Sequence, residues 1–132
     1  MQNTIQRTGN QVIDNYCFTC LKIGDKFDAE YVNKLERMVR KQSDAPFFCF
    51  TDDPTGVEMP CIHMDDKEER DWDNWWPVWC KIKMFNAPQL EGFDRKIFFD
   101  LDVIIHGDIT KLLLHEHRSR RNTFSLIKSN WR

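Results

Sequence analysis

The sequence predicts an α/β fold in which a mostly parallel sheet carries helices on both faces. Two observations lead to this prediction. Apolar, β-rich runs alternate with amphipathic segments in the order β-α-β-(β)-α-β-α-β, and this alternation is typical of parallel sheets. Acidic or polar residues follow several of the runs, and ligands of such sheets bind beyond the carboxyl ends of the strands.

The first predicted elements are a strand and an amphipathic helix. A polar lead-in, residues 1–14, precedes a β-rich run at residues 16–21 that predicts a buried strand. Asp28 is suited to cap the following helix, because its carboxylate can accept hydrogen bonds from the free N–H groups of the first turn. The helix is expected to end near residues 42–43. Its apolar positions recur at helical spacing: Tyr31, Leu35, Met38 and Val39.

A second strand completes a βαβ unit. Residues 47–51 are an uninterrupted apolar run, which is typical of a strand covered on both faces. A turn cluster at residues 52–56 ends it, and the crossover between the two strands should be right-handed. Residues 57–64 predict a third, shorter strand broken by Pro60, and a charged loop at residues 65–73 follows.

The second half of the chain predicts another helix, a strand and two short elements. A helix capped by Asn74 is expected to end at residues 87–88. A strand at residues 96–101 follows it. A short helix at residues 109–114 and a last strand at residues 123–127 complete the order.

Length, composition and charge limit the class of protein to which this chain can belong. The chain is 41% hydrophobic, and its length suits a single domain, residues 1–132, with a buried core. A net charge of -2 gives no support to a nucleic-acid-binding surface. No apolar run reaches the ~20 residues of a membrane span, and residues 1–10 lack the apolar region of a secretory signal. The odd number of cysteines, 5, favours reduced thiols in a cytoplasmic protein.

Cys17 and Cys20 have the spacing of a redox or zinc motif. However, they fall in the run that predicts a buried strand, and no second Cys-x-x-Cys or histidine pair follows. This context favours two buried core thiols over a metal or redox site.

The sequence Asp100-Leu101-Asp102 follows an apolar run and is the strongest candidate for chemistry. In a regular strand both carboxylates would point to the same face and would repel each other unless a cation lay beside them. Mg²⁺ and Mn²⁺ take oxygen ligands and keep positions open for phosphate oxygens. The pattern therefore favours a metal-diphosphate site, in which the metal acts as a Lewis acid on the leaving nucleotide, over a plain turn at a strand end.

Residues 98–109, Phe-Phe-Asp-Leu-Asp-Val-Ile-Ile-His-Gly-Asp-Ile, resemble the Asp-x-Asp segment of GT-A glycosyltransferases. They are most similar to the group related to glycogenin and the bacterial lipopolysaccharide galactosyl- and glucosyltransferases. Three other segments agree in order, at residues 20–35, 50–54 and 75–85, and the resemblance covers roughly residues 17–109. It implies a Rossmann-like nucleotide-diphospho-sugar transferase (GT-A) fold and hexosyltransferase activity.

The resemblance implies roles for the motif and for one lysine. Asp102 would be a direct metal ligand for Mn²⁺ or Mg²⁺, and Asp100 would bind the ribose and, through the metal, the diphosphate. Leu101 lies between them in the donor site. Lys81 is a candidate for the phosphates or the donor sugar, with a solvent-facing helix lysine as the alternative. The implied donor is a nucleotide-diphospho-sugar, with a UDP-sugar favoured, and the acceptor is a glycan, a lipid-linked sugar or a protein.

The resemblance also implies a nucleobase pocket. Thr19, Cys20 and Leu21 would line it, largely through backbone atoms. Asp52 or Asp53 would contact the base or ribose, although a capped turn explains these two residues equally well.

The chain departs from the family C-terminal to the motif. Family members usually supply a further metal ligand, often a histidine, well beyond the Asp-x-Asp, and His106, His115 and His117 lie too close to match it. We therefore expect a donor-binding fragment, truncated at the C-terminus, whose third metal ligand lies outside the chain. The sequence names no catalytic base.

Two other functions remain open from the sequence. One is a catalytically incomplete module that binds a nucleotide-sugar without transferring it. The other, less favoured, is a haloacid-dehalogenase-like phosphatase, whose nucleophile motif also consists of an apolar strand followed by Asp-Leu-Asp. That chemistry needs a Gly-Thr/Val-type turn directly after the second aspartate, where this chain has the apolar residues 103–105.

Overall fold

The computed structural model describes residues 5–7, 11–13, 15–64, 81 and 83–109. In chain order its elements are β1 (Ile5–Arg7), β2 (Gln11–Ile13), β3 (Tyr16–Lys22), α1 (Ala29–Arg40), β4 (Phe47–Thr51), β5 (Cys61–His63), a 3₁₀ helix (Pro88–Leu90) and β6 (Arg95–Phe98).

Four of the strands form one sheet in the order β5-β4-β3-β6. All three neighbouring pairs are parallel, and the crossover from β3 to β4 runs through α1. The predicted α/β class is therefore confirmed at the level of a parallel sheet with a packed helix. β1 and β2 form a separate antiparallel pair.

β3 is buried because it lies between two other strands and is covered on both faces. Alternate side chains of a strand point to opposite faces. Tyr16, Phe18 and Cys20 belong to the core beneath α1, whereas Cys17 belongs to a second core on the other face, with Phe50, Met84 and Leu90. The apolar composition of β3 therefore serves two cores at once.

Helix α1 begins where its sequence predicts and ends at Arg40, slightly before the predicted end near residues 42–43. Asp28 is the N-cap, and its Oδ1 accepts a hydrogen bond from the N–H of Glu30 at 3.1 Å. The side chains of Val32, Leu35 and Val39 are fully buried against the sheet. At roughly 1.5–3 kcal/mol for each buried aliphatic side chain, this contact contributes far more than the cap, which is worth about 1 kcal/mol.

The predicted core role of Cys17 and Cys20 is confirmed. Both are buried free thiols. Residues three apart in a strand point to opposite faces, and the two cysteines accordingly lie in different cores. They cannot act together as a Cys-x-x-Cys pair.

Two strand predictions and the interpretation of the lead-in need correction. The strand predicted at residues 57–64 is present, but it is limited to β5, which begins directly after Pro60. The strand predicted at residues 96–101 starts one residue earlier and ends at Phe98, so the claim that it continues to Leu101 was wrong. The polar lead-in, for which the sequence predicted no strand, contains the β1–β2 pair.

Several predicted elements lie wholly or largely outside the described residues. These are the start of the helix at Asn74, the short helix at residues 109–114 and the last strand at residues 123–127. Lys81, Lys83 and Met84 are helical, and the chain leaves the helix through a hydrogen bond from the N–H of Ala87 to the carbonyl of Met84, at 3.2 Å. Among the described helices, none is long and apolar enough to cross a membrane.

Candidate functional site

The candidate site lies where the strand order of the sheet reverses. From β3 the chain moves outward through β4 to β5, and then returns to place β6 on the opposite side of β3. Open parallel sheets bind ligands beyond the carboxyl ends of the strands at such a reversal. The predicted base-pocket residues, 19–21, lie near the carboxyl end of β3, and the predicted metal ligands follow β6. The sheet therefore brings these two groups to the same end of neighbouring strands.

The backbone of β3 extends past the end of its pairing with β6. Pairing with β6 ends at Thr19 and Phe98, followed by one more hydrogen bond, from the N–H of Phe99 to the carbonyl of Thr19 at 3.0 Å. β3 itself continues to Lys22. Backbone groups alternate in direction along a strand, so the N–H and C=O of Leu21 also face the β6 side. Within the described part of the chain no backbone group pairs with them there.

The side chains of residues 19–21 are buried or packed in the two cores and do not face this edge of β3. Those of Thr19 and Cys20 are fully buried, and the Thr19 hydroxyl donates a long hydrogen bond of 3.4 Å to the carbonyl of Ile97. Leu21 packs against the second core. A ligand at this edge would therefore meet backbone atoms, above all those of Leu21.

Asp100 and Asp102 lie on a turn, so the alternation of a regular strand, which would point both carboxylates to the same face, does not apply to them. The N–H of Val103 donates to the carbonyl of Asp100 at 3.2 Å and closes the turn. Leu101 is buried in the core beneath α1, whereas both aspartates are exposed. The burial of the intervening leucine anchors the turn and leaves the two carboxylates at the surface.

Lys81 lies beside the first aspartate of the motif. Its Nζ is 2.8 Å from Oδ1 of Asp100 and 5.4 Å from the centre of the Phe98 ring. The side chains of Lys81 and Asp100 are 41% and 53% exposed, so the ion pair contributes less than about 1 kcal/mol to stability. The position of the ion pair matters more than its stability. It holds the ammonium group of Lys81, 19 residues from Asp100 in sequence, against the proposed metal-binding turn.

Asp52 and Asp53 belong to a different part of the sheet edge. They follow β4, which lies on the far side of β3 from β6. Oδ1 of Asp53 accepts hydrogen bonds from the N–H and the hydroxyl of Thr55, at 3.0 and 2.6 Å, and these bonds hold the pKa of Asp53 below its usual value. Oδ2 of Asp52 accepts a long hydrogen bond from the N–H of Gly24 at 3.4 Å. This geometry favours the capped turn for Asp53.

The segment after the motif is held in place by a residue that the sequence did not single out. The side-chain amide of Gln42 donates to the carbonyl of Gly107 and accepts from the N–H of Ile109, both at 2.8 Å. The N–H of Ile105 also approaches Sδ of Met38 at 3.4 Å. Residues 103–109 therefore lie along α1, and no local sequence signal could have revealed contacts between residues 65 or more positions apart.

The described residues supply two candidate metal ligands and no larger set. Within residues 15–64, 81 and 83–109, no group of three or more histidine, cysteine, aspartate or glutamate side chains could hold a metal ion. His115 and His117 lie outside the described part of the chain.

Comparison of the chain with protein families, with characterised proteins and with solved structures gives no significant match.

Proposed function

We propose that this chain is the donor-binding part of a glycosyltransferase with a GT-A type fold. It binds a nucleotide-diphospho-sugar together with Mn²⁺ or Mg²⁺ at the switch point between β3 and β6. The observation that carries the proposal is the exposed pair Asp100 and Asp102 on the turn that follows β6, next to β3, where the N–H and C=O of Leu21 have no backbone partner among the described residues.

The charges of the turn support a metal-dependent site. Two carboxylates and one ammonium, that of Lys81, leave an excess of one negative charge, which repels a diphosphate. A divalent cation reverses the sign and accepts phosphate oxygens in its remaining coordination positions. Asp102 is the direct ligand, and Asp100 contacts the ribose and the metal-bound diphosphate. The metal, when bound, acts as a Lewis acid on the leaving nucleotide.

The backbone of Leu21 supports UDP as the nucleotide. It offers one N–H donor and one C=O acceptor that face the same way. The imide edge of uracil presents a carbonyl acceptor next to an N–H donor, and so complements this pair. The side chains of Thr19 and Cys20 are fully buried and offer no hydrogen bond to the base.

A binding module that holds the donor without transferring the sugar is the second candidate. It is favoured because, within the described residues, no third carboxylate, thiol or imidazole is placed to hold a metal ion together with Asp100 and Asp102. The acceptor would then be handled by other residues or by another chain.

Titration calorimetry with UDP-glucose, UDP-galactose and UDP, each with and without Mn²⁺, tests the proposal. Binding should require the metal. Asp102→Asn and Asp100→Asn should each weaken it at least ~10-fold, or about 1.4 kcal/mol. Asp94→Asn is the matched control, because this exposed aspartate precedes β6 at the opposite end of the same strand. Equal affinity with and without Mn²⁺, or equal losses in all three variants, would contradict the proposal.

Turnover measurements separate the two candidates. Release of UDP or transfer of the sugar to an acceptor identifies a transferase, whereas metal-dependent binding without either identifies a binding module. Hydrolysis of a generic phosphomonoester that is lost in Asp100→Asn would instead identify a phosphatase.

A further inference from the structure

Three cysteines form a row across the sheet. Cys20 of β3 is the register partner of Cys49 of β4, and Cys49 is the partner of Cys61 of β5. Register partners in parallel strands point to the same face, and all three belong to or pack against the core beneath α1. All three are free thiols.

The spacing of the row allows a bond between neighbours only. Adjacent strands lie about 4.8 Å apart, inside the range of roughly 4.4–6.8 Å between the Cα atoms of a disulfide. Cys20 and Cys61 are separated by two such steps and fall outside it. The possible pairs are therefore Cys20 with Cys49 and Cys49 with Cys61.

Exposure selects the second pair. Cys20 and Cys49 are fully buried, whereas Cys61 is only partly buried. Cys61 also lies on β5, a strand of 3 residues that is outermost in the described sheet. Short edge strands open at low free-energy cost, so an oxidant in solution reaches Cys61 before either neighbour.

The surroundings divide the roles between the two sulfurs. A hydrogen bond from the Cys20 thiol, together with the Lys22 ammonium, lowers the pKa of Cys49. Lys22 lies on the same face of the sheet and is only 7% exposed. Burial raises the pKa of Cys61 to about 11. Cys49 is thus the more readily ionised thiol and Cys61 the more accessible one.

We propose that Cys61 and Cys49 form an oxidisable pair that a hydroperoxide converts to a cross-strand disulfide. The sulfur of Cys61 attacks one peroxide oxygen; an S–O bond forms, the O–O bond breaks and water leaves. The sulfur of Cys49 then attacks the sulfur of Cys61; the S–S bond forms and the S–O bond breaks. The departing hydroxide takes the remaining thiol proton. Two thiols are oxidised by two electrons, and hydrogen peroxide is reduced to two waters. This site is independent of nucleotide binding.

Peptide mapping of the intact folded chain tests the pair. The protein is treated with hydrogen peroxide, alkylated under denaturing conditions and digested without reduction. The expected product is a peptide containing Cys49 joined to one containing Cys61, which dithiothreitol separates. Its formation should be faster at pH 9 than at pH 7, because more of the Cys61 thiol is ionised.

Variants sharpen the test. Cys61→Ser should abolish the cross-link, whereas Cys17→Ser, whose thiol lies on the opposite face of β3, should leave it unchanged. A bond from Cys49 to Cys20, a bond of either sulfur to Cys80, stable sulfinic acid at Cys61 alone, or no oxidation at peroxide concentrations that oxidise surface methionine would each overturn the proposal. The wild-type map decides the matter even if a variant fails to fold.

Discussion

Asn33 joins helix α1 to the loop after β4 through two hydrogen bonds. Its Nδ2 donates to the carbonyl of Gly56 at 3.0 Å, and its Oδ1 accepts from the N–H of Glu58 at 2.9 Å. The asparagine is 4% exposed, which is unusual for this residue type on a helix. We expect this contact to be the main tie between α1 and the loop.

The loss in the free energy of unfolding on removing the Asn33 side chain can be calculated from these two hydrogen bonds. Each contributes about 0.5–1.5 kcal/mol net. Gly56 and Glu58 are exposed, so water can replace Asn33 as their partner, and the larger penalty of a buried unpaired group does not apply. Alanine recovers roughly 0.6 kcal/mol of helix propensity. Asn33→Ala should therefore lower the free energy of unfolding by about 1–2 kcal/mol.

Urea unfolding followed by circular dichroism measures this loss as a lower midpoint at an unchanged slope. Lys34→Ala is the matched control, because Lys34 is the next residue of the helix and is exposed; it should stay within about 0.5 kcal/mol of wild type. Asn33→Asp, which keeps the acceptor and loses the donor, should fall between the two. An Asn33→Ala protein as stable as the control would refute the role given to these bonds.

Local geometry leads to three further expected outcomes. Gly56→Ala should cost about 1–2 kcal/mol in urea unfolding, because Gly56 has φ +80° and a Cβ there would lie 3.1 Å from a side-chain carbon at the start of α1. Asp53→Asn should be less stable than wild type above pH ~4, because the hydrogen bonds from Thr55 lower the folded-state pKa of Asp53 below its unfolded value near 3.9. The difference in stability between the two proteins should shrink as the pH falls further, since protonation of Asp53 removes this contribution. A pH series of unfolding midpoints measures the difference. Lys81→Met should change the free energy of unfolding by less than about 0.5 kcal/mol, because the pair with Asp100 is half exposed, yet it should strengthen binding of Mn²⁺ in the absence of nucleotide, measured by calorimetry.

Local signals were sufficient to predict the βαβ unit. The cap at Asp28 and the helical spacing of its apolar residues determine α1. The uninterrupted apolar run determines β4, whose observed bounds match the prediction. These elements depend on short-range pattern, so the sequence alone predicts them well.

The end of β6 could not be predicted in the same way. Phe99 and Leu101 are as apolar as the strand before them, but their side chains enter the core beneath α1 after pairing with β3 has ended. A strand ends where its pairing with the neighbouring strand ends, and that pairing is a property of the sheet and not of the local sequence. For this reason the predicted strand ran through Asp100 to Leu101, whereas β6 ends at Phe98 and both aspartates lie on the turn that follows it.

Local sequence patterns also could not predict the long-range contacts of Lys81, Cys49 and Cys61. Lys81 was a candidate through family resemblance, and its ion pair joins it to Asp100, a residue 19 positions away in sequence. Cys49 and Cys61 carry no motif in the sequence; only the register of β4 and β5 aligns them.

Diffraction from crystals soaked with UDP and MnCl₂, recorded at a wavelength where manganese scatters anomalously, tests the proposed donor site most directly. We expect an anomalous peak about 2–2.5 Å from a carboxylate oxygen of Asp102, with the diphosphate on the metal and the uracil against the backbone of Leu21. Manganese bound elsewhere, or nucleotide bound away from the turn while Lys81 stays paired with Asp100, would contradict it.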